Sequence, residues 1–248
     1  MMENNKQIDE GMTIWEHISD LRRRLLFSLI ALLVTTLISF AFAEQMVDFL
    51  AKPVGGINSL SSIEVTENIT VFMQISLLSG FIFALPVILY QILGFIMEGL
   101  LPREKFWIKL SIPLAFIFFL SGVVFAYYFI LPTAIPYLIN FMGIKTMVRP
   151  GNYFDFVLNL LFWVGISFEL PLVIYILAKI GIVNARMLIK QWRIAIVLIS
   201  IFAAFITPTV DPINMSIMMA PLFLLYMISI IFALVARPRK NEKDIEKD

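Results

Sequence analysis

The chain has 248 residues, of which 60% are hydrophobic and 15% charged, with a mean hydropathy of +0.91 and a formal net charge of +1. Soluble domains are about 45–50% apolar and about 25% charged, so this composition excludes an ordinary soluble fold and indicates a membrane protein. The absence of cysteine excludes disulfides and thiol chemistry, and a single histidine, His17, excludes histidine-rich zinc sites.

The first predicted element is a helix that begins at Thr13 and lies at the membrane interface. Thr13 and Glu16 have the spacing of a capping box, which is typical of a helix start. Asp20 and Arg24 are four residues apart on this helix, so one interpretation is a membrane anchor with an internal ion pair. The other interpretation is a binding surface that displays His17 and Asp20, and the pattern alone leaves both open.

Six apolar stretches follow, and each is interpreted as a membrane-spanning helix, with prolines that predict kinks. A helix needs about 20 residues to cross ~30 Å of hydrocarbon. The fifth stretch is shorter and would extend only about 20 Å, so we expect the bilayer to thin there or a partner to cover it. The six stretches are residues 25–43, 69–97, 108–131, 153–178, 194–206 and 213–236.

The distribution of Lys and Arg predicts the orientation of these spans, because cytoplasmic segments are enriched in both residues. With the N-terminus inside, 16 of the 19 Lys and Arg residues fall on cytoplasmic segments. The other three, Lys52, Lys145 and Arg149, fall outside, which predicts that both termini are cytoplasmic. The basic residues form no extended face, so nucleic acid is not an expected partner.

The predicted architecture is a single all-α, six-span membrane domain over residues 1–248. The outer segment 44–68 is long enough to cap the outer face with short helical or irregular structure. The parts are an N-terminal interfacial helix within residues 1–24, a membrane core in 25–236 and a charged cytoplasmic tail in 237–248.

Two carboxylates lie in the cytoplasmic loop between the second and third spans. Glu98 and Glu104 occur in a loop that is expected to be basic. They are interpreted either as solvated charges paired with neighbouring Arg103 or Lys105, or as carboxylates offered to an arginine-bearing ligand. The second interpretation has a physical reason, because a guanidinium binds a carboxylate through two parallel hydrogen bonds.

A third carboxylate, Glu169, lies in the fourth span, where ionisable groups are costly and usually functional. Pro171 follows it and cannot donate to the carbonyl of Ser167, so a kink is expected. We expect Glu169 to face protein or a wet cavity, with Gln91 and Asn159 as further polar groups around it. A structural contact with a neighbouring helix and a functional polar site both remain open.

In the last outer turn, Asp211 is interpreted as the N-cap of the sixth span, with Pro212 at the first helical position. The chain has no nucleotide-binding loop, serine-hydrolase elbow or zinc-protease motif, so we expect neither an enzyme nor a bound metal or cofactor. A proton-coupled small-solute secondary transporter that uses Glu169 is an alternative, although internal repeats are not evident.

Several motifs occur in one order along the six spans and together resemble the TatC family, the core subunit of twin-arginine protein translocation. They are HISDLRRRL, PVILYQILGFI, the loop residue Glu104, SFELP and TPTVDP, and the resemblance covers residues 17–236. It implies an inner (plasma) membrane protein that binds twin-arginine signal peptides of folded precursors at its cytoplasmic face. It also implies assembly with single-span TatA/TatB-type subunits, self-association in a larger complex, and export driven by the proton-motive force.

The resemblance also implies roles for individual residues. Asp20 stands where the family usually has glutamate, so its side chain is one methylene shorter and a bidentate contact is harder to reach. Glu98 is an extra acid without an implied role. The signal-peptide site would comprise His17, Asp20, Leu21, Arg22, Phe95 and Glu104, the intramembrane polar site Glu169 with Gln91, and the structural or partner positions Pro53, Pro171 and Asp211.

Overall fold

The computed structural model describes residues 14–97, 102–140, 147–207 and 212–236. These residues are helical, apart from connecting turns and one isolated bridge between Leu60 and Val148. A π-helical turn (Ala126–Ile130) joins α4 to α5. The helices are α1 (Ile14–Phe40), α2 (Ala43–Ala51), α3 (Glu67–Met97), α4 (Pro102–Phe125), α5 (Leu131–Ile139), α6 (Pro150–Phe168), α7 (Leu170–Lys179), α8 (Ala185–Lys190), α9 (Trp192–Ile206) and α10 (Pro212–Val235).

Five helical segments among the described residues are long and apolar enough to cross a membrane. The shortest of them has 21 residues, and α9, with 15 residues, is a shorter apolar helix that extends about 22 Å. The chain is therefore a multi-pass α-helical membrane protein. The spanning segments are Ile18–Phe40, Glu67–Phe95, Ile108–Ile139, Pro150–Lys179 and Met215–Val235.

The bundle has two ends, which we call the cap end and the base end. The cap end carries α2, and the base end carries the start of α1, the end of α3 and the start of α4. At the base end the chain turns back after α7 through Gly181, whose φ of +83° suits glycine. The Asn184 side chain then accepts the Met187 N–H at 2.8 Å, which caps the start of α8.

The segment 41–66 forms a short helical structure over the cap end. Two tyrosines of the bundle hold α2 through its carbonyls: Tyr127 donates to Phe49 at 2.8 Å, and Tyr153 donates to Leu50 at 2.7 Å. The rings of Phe49 and Tyr127 also stack, with centroids 4.4 Å apart. Pro53 lies in the 3₁₀ turn that follows α2. These contacts fix α2 across the ends of the longer helices.

A carboxylate joins two helix starts at the cap end. Glu67, at the start of α3, is buried and accepts the Gly151 N–H of α6 at 2.8 Å, where the unpaired amides of a helix start favour negative charge. Arg149 lies 3.5 Å from Glu67 and donates to Glu64 at 2.9 Å. The hydrogen bond to Glu64 is the main interaction that raises the pKa of Arg149 above its usual value. The cluster ties the cap segment to the start of α6.

Helix α1 packs mainly on α3 and is otherwise exposed, since only 6% of its spanning window is buried in the protein. The two helices meet closely at Gly80, where Thr35 Oγ1 donates to the Gly80 carbonyl at 2.8 Å. A β-carbon on Gly80 would lie 2.6 Å from the Thr36 Cα, so the absence of a side chain permits this approach.

Candidate functional site

At the base end, a cleft of about 220 Å³ lies between the start of α1 and the end of α3. Charged and polar side chains of α1 face Gln91 of α3 across it. Its lining residues are Asp20, Arg23, Arg24, Phe27 and Gln91. The cleft is therefore a polar surface at the base end of the bundle, built by two helices that are in contact with each other.

Asp20 and Arg24 form an ion pair on α1, which confirms the predicted pairing four residues apart. About a quarter of the Asp20 side chain and a fifth of the Arg24 side chain remain exposed. The Arg24 guanidinium also lies against Gly94 of α3, where a β-carbon would collide with it. Thus Asp20 is held at the cleft by a partner that itself packs on α3.

The other residues predicted for this site lie around the cleft on α1 and α3. Leu21 and Arg22 are exposed on α1, and Arg22 also lines a neighbouring groove of about 410 Å³. Phe95 is half-buried in the last turn of α3. His17 lies on α1, but its side chain is outside the described part of the structure.

Glu104 is the third residue of α4, which begins at Pro102. The first turn of a helix favours a carboxylate, because its amides are unpaired and its dipole is positive there. The Glu104 side chain is outside the described part of the structure, as are Thr13, Glu98 and Asp211 with their whole residues. The capping roles predicted for Thr13 and Asp211 therefore remain predictions.

Glu169 lies at a break in the fourth apolar stretch, between the end of α6 and the start of α7. Pro171 is buried and has no N–H, so the Ser167 carbonyl lacks the donor it would receive in a continuous helix. The Glu169 N–H instead donates to Ile166 at 3.0 Å, which tightens the last turn of α6. The break is the interruption that the sequence predicted at Pro171.

The Glu169 side chain is half-buried against α4, near the backbone of Phe119. Its Oε1 atom is buried and has no hydrogen-bond partner among the described residues. Helices α4 and α6 meet closely one turn away, where a β-carbon on Gly122 would lie 2.9 Å from the Gly165 Cα. An unpaired oxygen that is buried in the protein is costly, and a hydrogen-bond donor placed beside Oε1 would remove that cost.

The sequence grouped Gln91 with Glu169, but the structure places Gln91 in the base-end cleft with Asp20 and Arg24. The physical reason is its position: Gln91 is in the last two turns of α3, on the side that packs against α1. Asn159, the other group expected near Glu169, instead lines a groove at the cap end.

That groove, of about 590 Å³, lies between α6 and the end of α9. Asn152, Asp155 and Asn159 are exposed along one face of α6, and Asn159 Nδ2 donates to the Asp155 carbonyl at 2.9 Å. Trp163 continues the face and packs edge-to-face on Phe205 of α9, with centroids 5.4 Å apart. Asn152 and Asp155 were not predicted from the sequence, although their spacing with Asn159 indicates a polar helix face.

Among the residues that the structure describes, no group of three or more His, Cys, Asp or Glu side chains could hold a metal ion. The main polar features of the described residues are a charged cleft at the base end, a polar groove and the Glu67–Arg149 cluster at the cap end, and Glu169 between the two ends. Together with the spanning helices, they define a multi-pass membrane protein with several polar contact surfaces.

Comparison with known proteins specifies the family. The model of the Sec-independent protein translocase protein TatC matches residues 16–221. The TatC of Carboxydothermus hydrogenoformans is 36% identical over 235 residues, which cover 94% of this chain and 97% of that protein. The TatC of Deinococcus radiodurans is 35% identical over 242 residues, with 93% and 90% covered.

Solved structures agree with the sequence relatives. A crystal structure of the twin-arginine translocase receptor TatC matches with a TM-score of 0.77 and 35% identity, covering 89% of this chain and 99% of that chain. A crystal structure of the receptor in DDM matches with a TM-score of 0.79 and 34% identity, covering 88% and 99%. The chain belongs to the TatC family of Sec-independent protein translocases.

Proposed function

We propose that this chain binds the twin-arginine signal peptides of folded precursors and nucleates their export across the plasma membrane. In this proposal six helices cross the membrane, with α9 as a short fifth span, and the base end faces the cytoplasm. The distribution of Lys and Arg supports this orientation, since 16 of 19 would then lie on the cytoplasmic side. Membership of the TatC family supports the receptor role, and no observation favours the small-solute transporter.

The observation that supports the proposal is that Asp20 and the start of α4, the helix that carries Glu104, lie at the same end of the bundle. Asp20 lies in the cleft between α1 and α3, and α3 ends at Met97. The chain reaches Pro102, the start of α4, within five residues, a distance of at most about 17 Å when fully extended. Glu104 therefore lies in the first turn of the helix that follows α3 in the chain.

The chemistry of these groups suits a ligand with two neighbouring arginines. A guanidinium binds a carboxylate through a planar pair of hydrogen bonds, which a lysine ammonium cannot reproduce. Glu104 would bind one ligand arginine. Asp20 is already paired with Arg24, so a second ligand arginine would share or replace that partner, and Asp20 is expected to contribute less than Glu104.

The partner subunits are proposed to dock beside α6 and α9. The polar face with Asp155 and Asn159 is exposed next to a helix too short to cover the full hydrocarbon, so a single-span TatA/TatB-type helix would relieve the mismatch. Glu169 is only half-buried, and its accessible part would accept a hydrogen bond from the partner or from an inserted signal peptide. Export would then be driven by the proton-motive force, without bond-making chemistry in this chain.

The test is photo-crosslinking from a probe at position 104 to a twin-arginine signal peptide, using the full chain in membranes. A twin-lysine peptide of otherwise identical sequence is the control. We expect the twin-arginine peptide to be labelled strongly and the twin-lysine peptide weakly. Equal labelling of both peptides would refute arginine recognition at this position.

A further inference from the structure

We propose that a groove at the cap end binds one phospholipid with a zwitterionic, amine-bearing headgroup. The groove lies between the end of α1, helix α2 and the facing side of α3, and it has a volume of about 620 Å³. Ligand pockets have volumes of about 300–1,000 Å³. The acyl chain would fill the groove, and the headgroup would lie over α2.

The walls of the groove are apolar. Phe42, Phe49 and Phe83 line it together with Ser39, which is 1% exposed and has its hydroxyl oxygen buried away from the groove. Apolar walls suit an acyl chain and exclude a charged headgroup, which would therefore lie outside the groove.

The shape of the groove favours an acyl chain over a membrane-spanning helix. Its α1 wall runs from Thr35 to Ser39, which is about 6 Å of helix and about a fifth of the hydrocarbon thickness. Helix α2 closes the cap end of the groove, because its carbonyls are held by Tyr127 and Tyr153. A spanning helix would collide with α2, whereas a flexible chain can enter from the membrane side.

The charges on α2 specify the headgroup. Lys52 follows the groove residue Phe49, with its Nζ 5.4 Å from the ring centroid, and it would bind the lipid phosphate. Asp48 lies one turn before Lys52 and would accept a primary ammonium group. Both side chains are exposed, and no ion pair joins them within the described residues. Glu44 adds a second acid on α2, which disfavours an anionic headgroup.

The experiment is native mass spectrometry of the full chain, delipidated and reloaded with phosphatidylethanolamine or phosphatidylglycerol. The wild-type chain should retain one phosphatidylethanolamine, and phosphatidylglycerol should bind at least about fivefold more weakly, since each surface charge contributes about 1 kcal/mol. Lys52→Gln should weaken phosphatidylethanolamine binding by a similar factor.

Two serine variants test the groove itself. Ser39→Leu places a larger side chain in the groove and should abolish retention of the lipid. Ser121→Leu is the matched control, because Ser121 is an exposed helical serine of α4 outside the groove, and it should retain the lipid. Retention by Ser39→Leu would overturn the groove assignment. Equal binding of the two lipids, or an unchanged lipid affinity in Lys52→Gln, would overturn the headgroup assignment. The Lys52→Gln measurement remains informative even if the Ser39→Leu chain fails to insert into the membrane.

Discussion

The substitution Gly80→Ala tests whether the close contact between α1 and α3 contributes to the stability of the bundle. The added β-carbon would lie 2.6 Å from the Thr36 Cα and 2.7 Å from the Thr36 N, both of which are backbone atoms. An ordinary contact begins at 3.4 Å, so the helices would have to separate by about 0.8 Å. Separation would also lengthen the hydrogen bond from Thr35 to the Gly80 carbonyl.

The expected loss of stability follows from this geometry. Overpacking of a well-packed contact costs about 1–3 kcal/mol. A gap of 0.5–1 Å already forfeits about a quarter to a half of the dispersion energy of each affected atom pair. Alanine would otherwise favour the helix by about 1 kcal/mol over glycine. Steric overpacking lowers the free energy of unfolding, whereas the higher helix propensity of alanine raises it. The sign of the measured change therefore identifies the larger effect, and we expect net destabilisation.

The measurement is the thermal unfolding midpoint of the purified chain in detergent. Gly94→Ala is the matched control on the same face of α3, because its β-carbon would meet only the far end of the flexible Arg24 side chain. Gly80→Ala should lower the midpoint clearly more than Gly94→Ala. An unchanged or raised midpoint for Gly80→Ala would refute the reasoning.

Three further predictions concern other polar contacts. Glu67→Gln should lower the unfolding midpoint more than Glu64→Gln, because Glu67 is buried at a helix start and Glu64 is exposed, and equal effects would contradict this. Tyr153→Phe should cost about 1–3 kcal/mol of unfolding free energy, because it leaves the buried Leu50 carbonyl without its donor, and an unchanged unfolding free energy would argue against that contact. In a cellular export assay, Glu169→Ala should reduce export more than Glu169→Gln, which keeps a hydrogen-bonding group, and normal export by both would exclude a role for this side chain.

Features that depend on local sequence were predictable in this chain. Pro171 removes the backbone donor for the Ser167 carbonyl, so an interruption of the helix beside Glu169 could be predicted from the sequence. The proline alone does not decide between a kink and a break, because α3, α4 and α10 continue through Pro86, Pro113 and Pro221. The shortness of α9 follows from counting apolar residues between polar turns. The pairing of Asp20 with Arg24 depends only on a spacing of four residues along one helix.

Features that depend on which helices are neighbours were not predictable. Gln91 was grouped with Glu169 because both are polar residues in apolar stretches, but the packing of α3 on α1 decides which surface Gln91 joins. The groove beside Asp155 exists because α9 ends near α6, which is a tertiary contact. In the cap segment, Gly55 and Gly56 adopt positive φ angles that turn the chain. A turn at two glycines can be predicted from the sequence, but the helices against which the segment packs cannot.

Recognition of a signal-peptide arginine by Glu104 is the central interaction of the proposed function. The most direct measurement is a double-mutant cycle of binding affinities for the full chain and Glu104→Gln, each with twin-arginine and twin-lysine peptides. We predict that Glu104→Gln costs ~2 kcal/mol or more with the twin-arginine peptide and much less with the twin-lysine peptide. Equal losses with the two peptides would contradict the account.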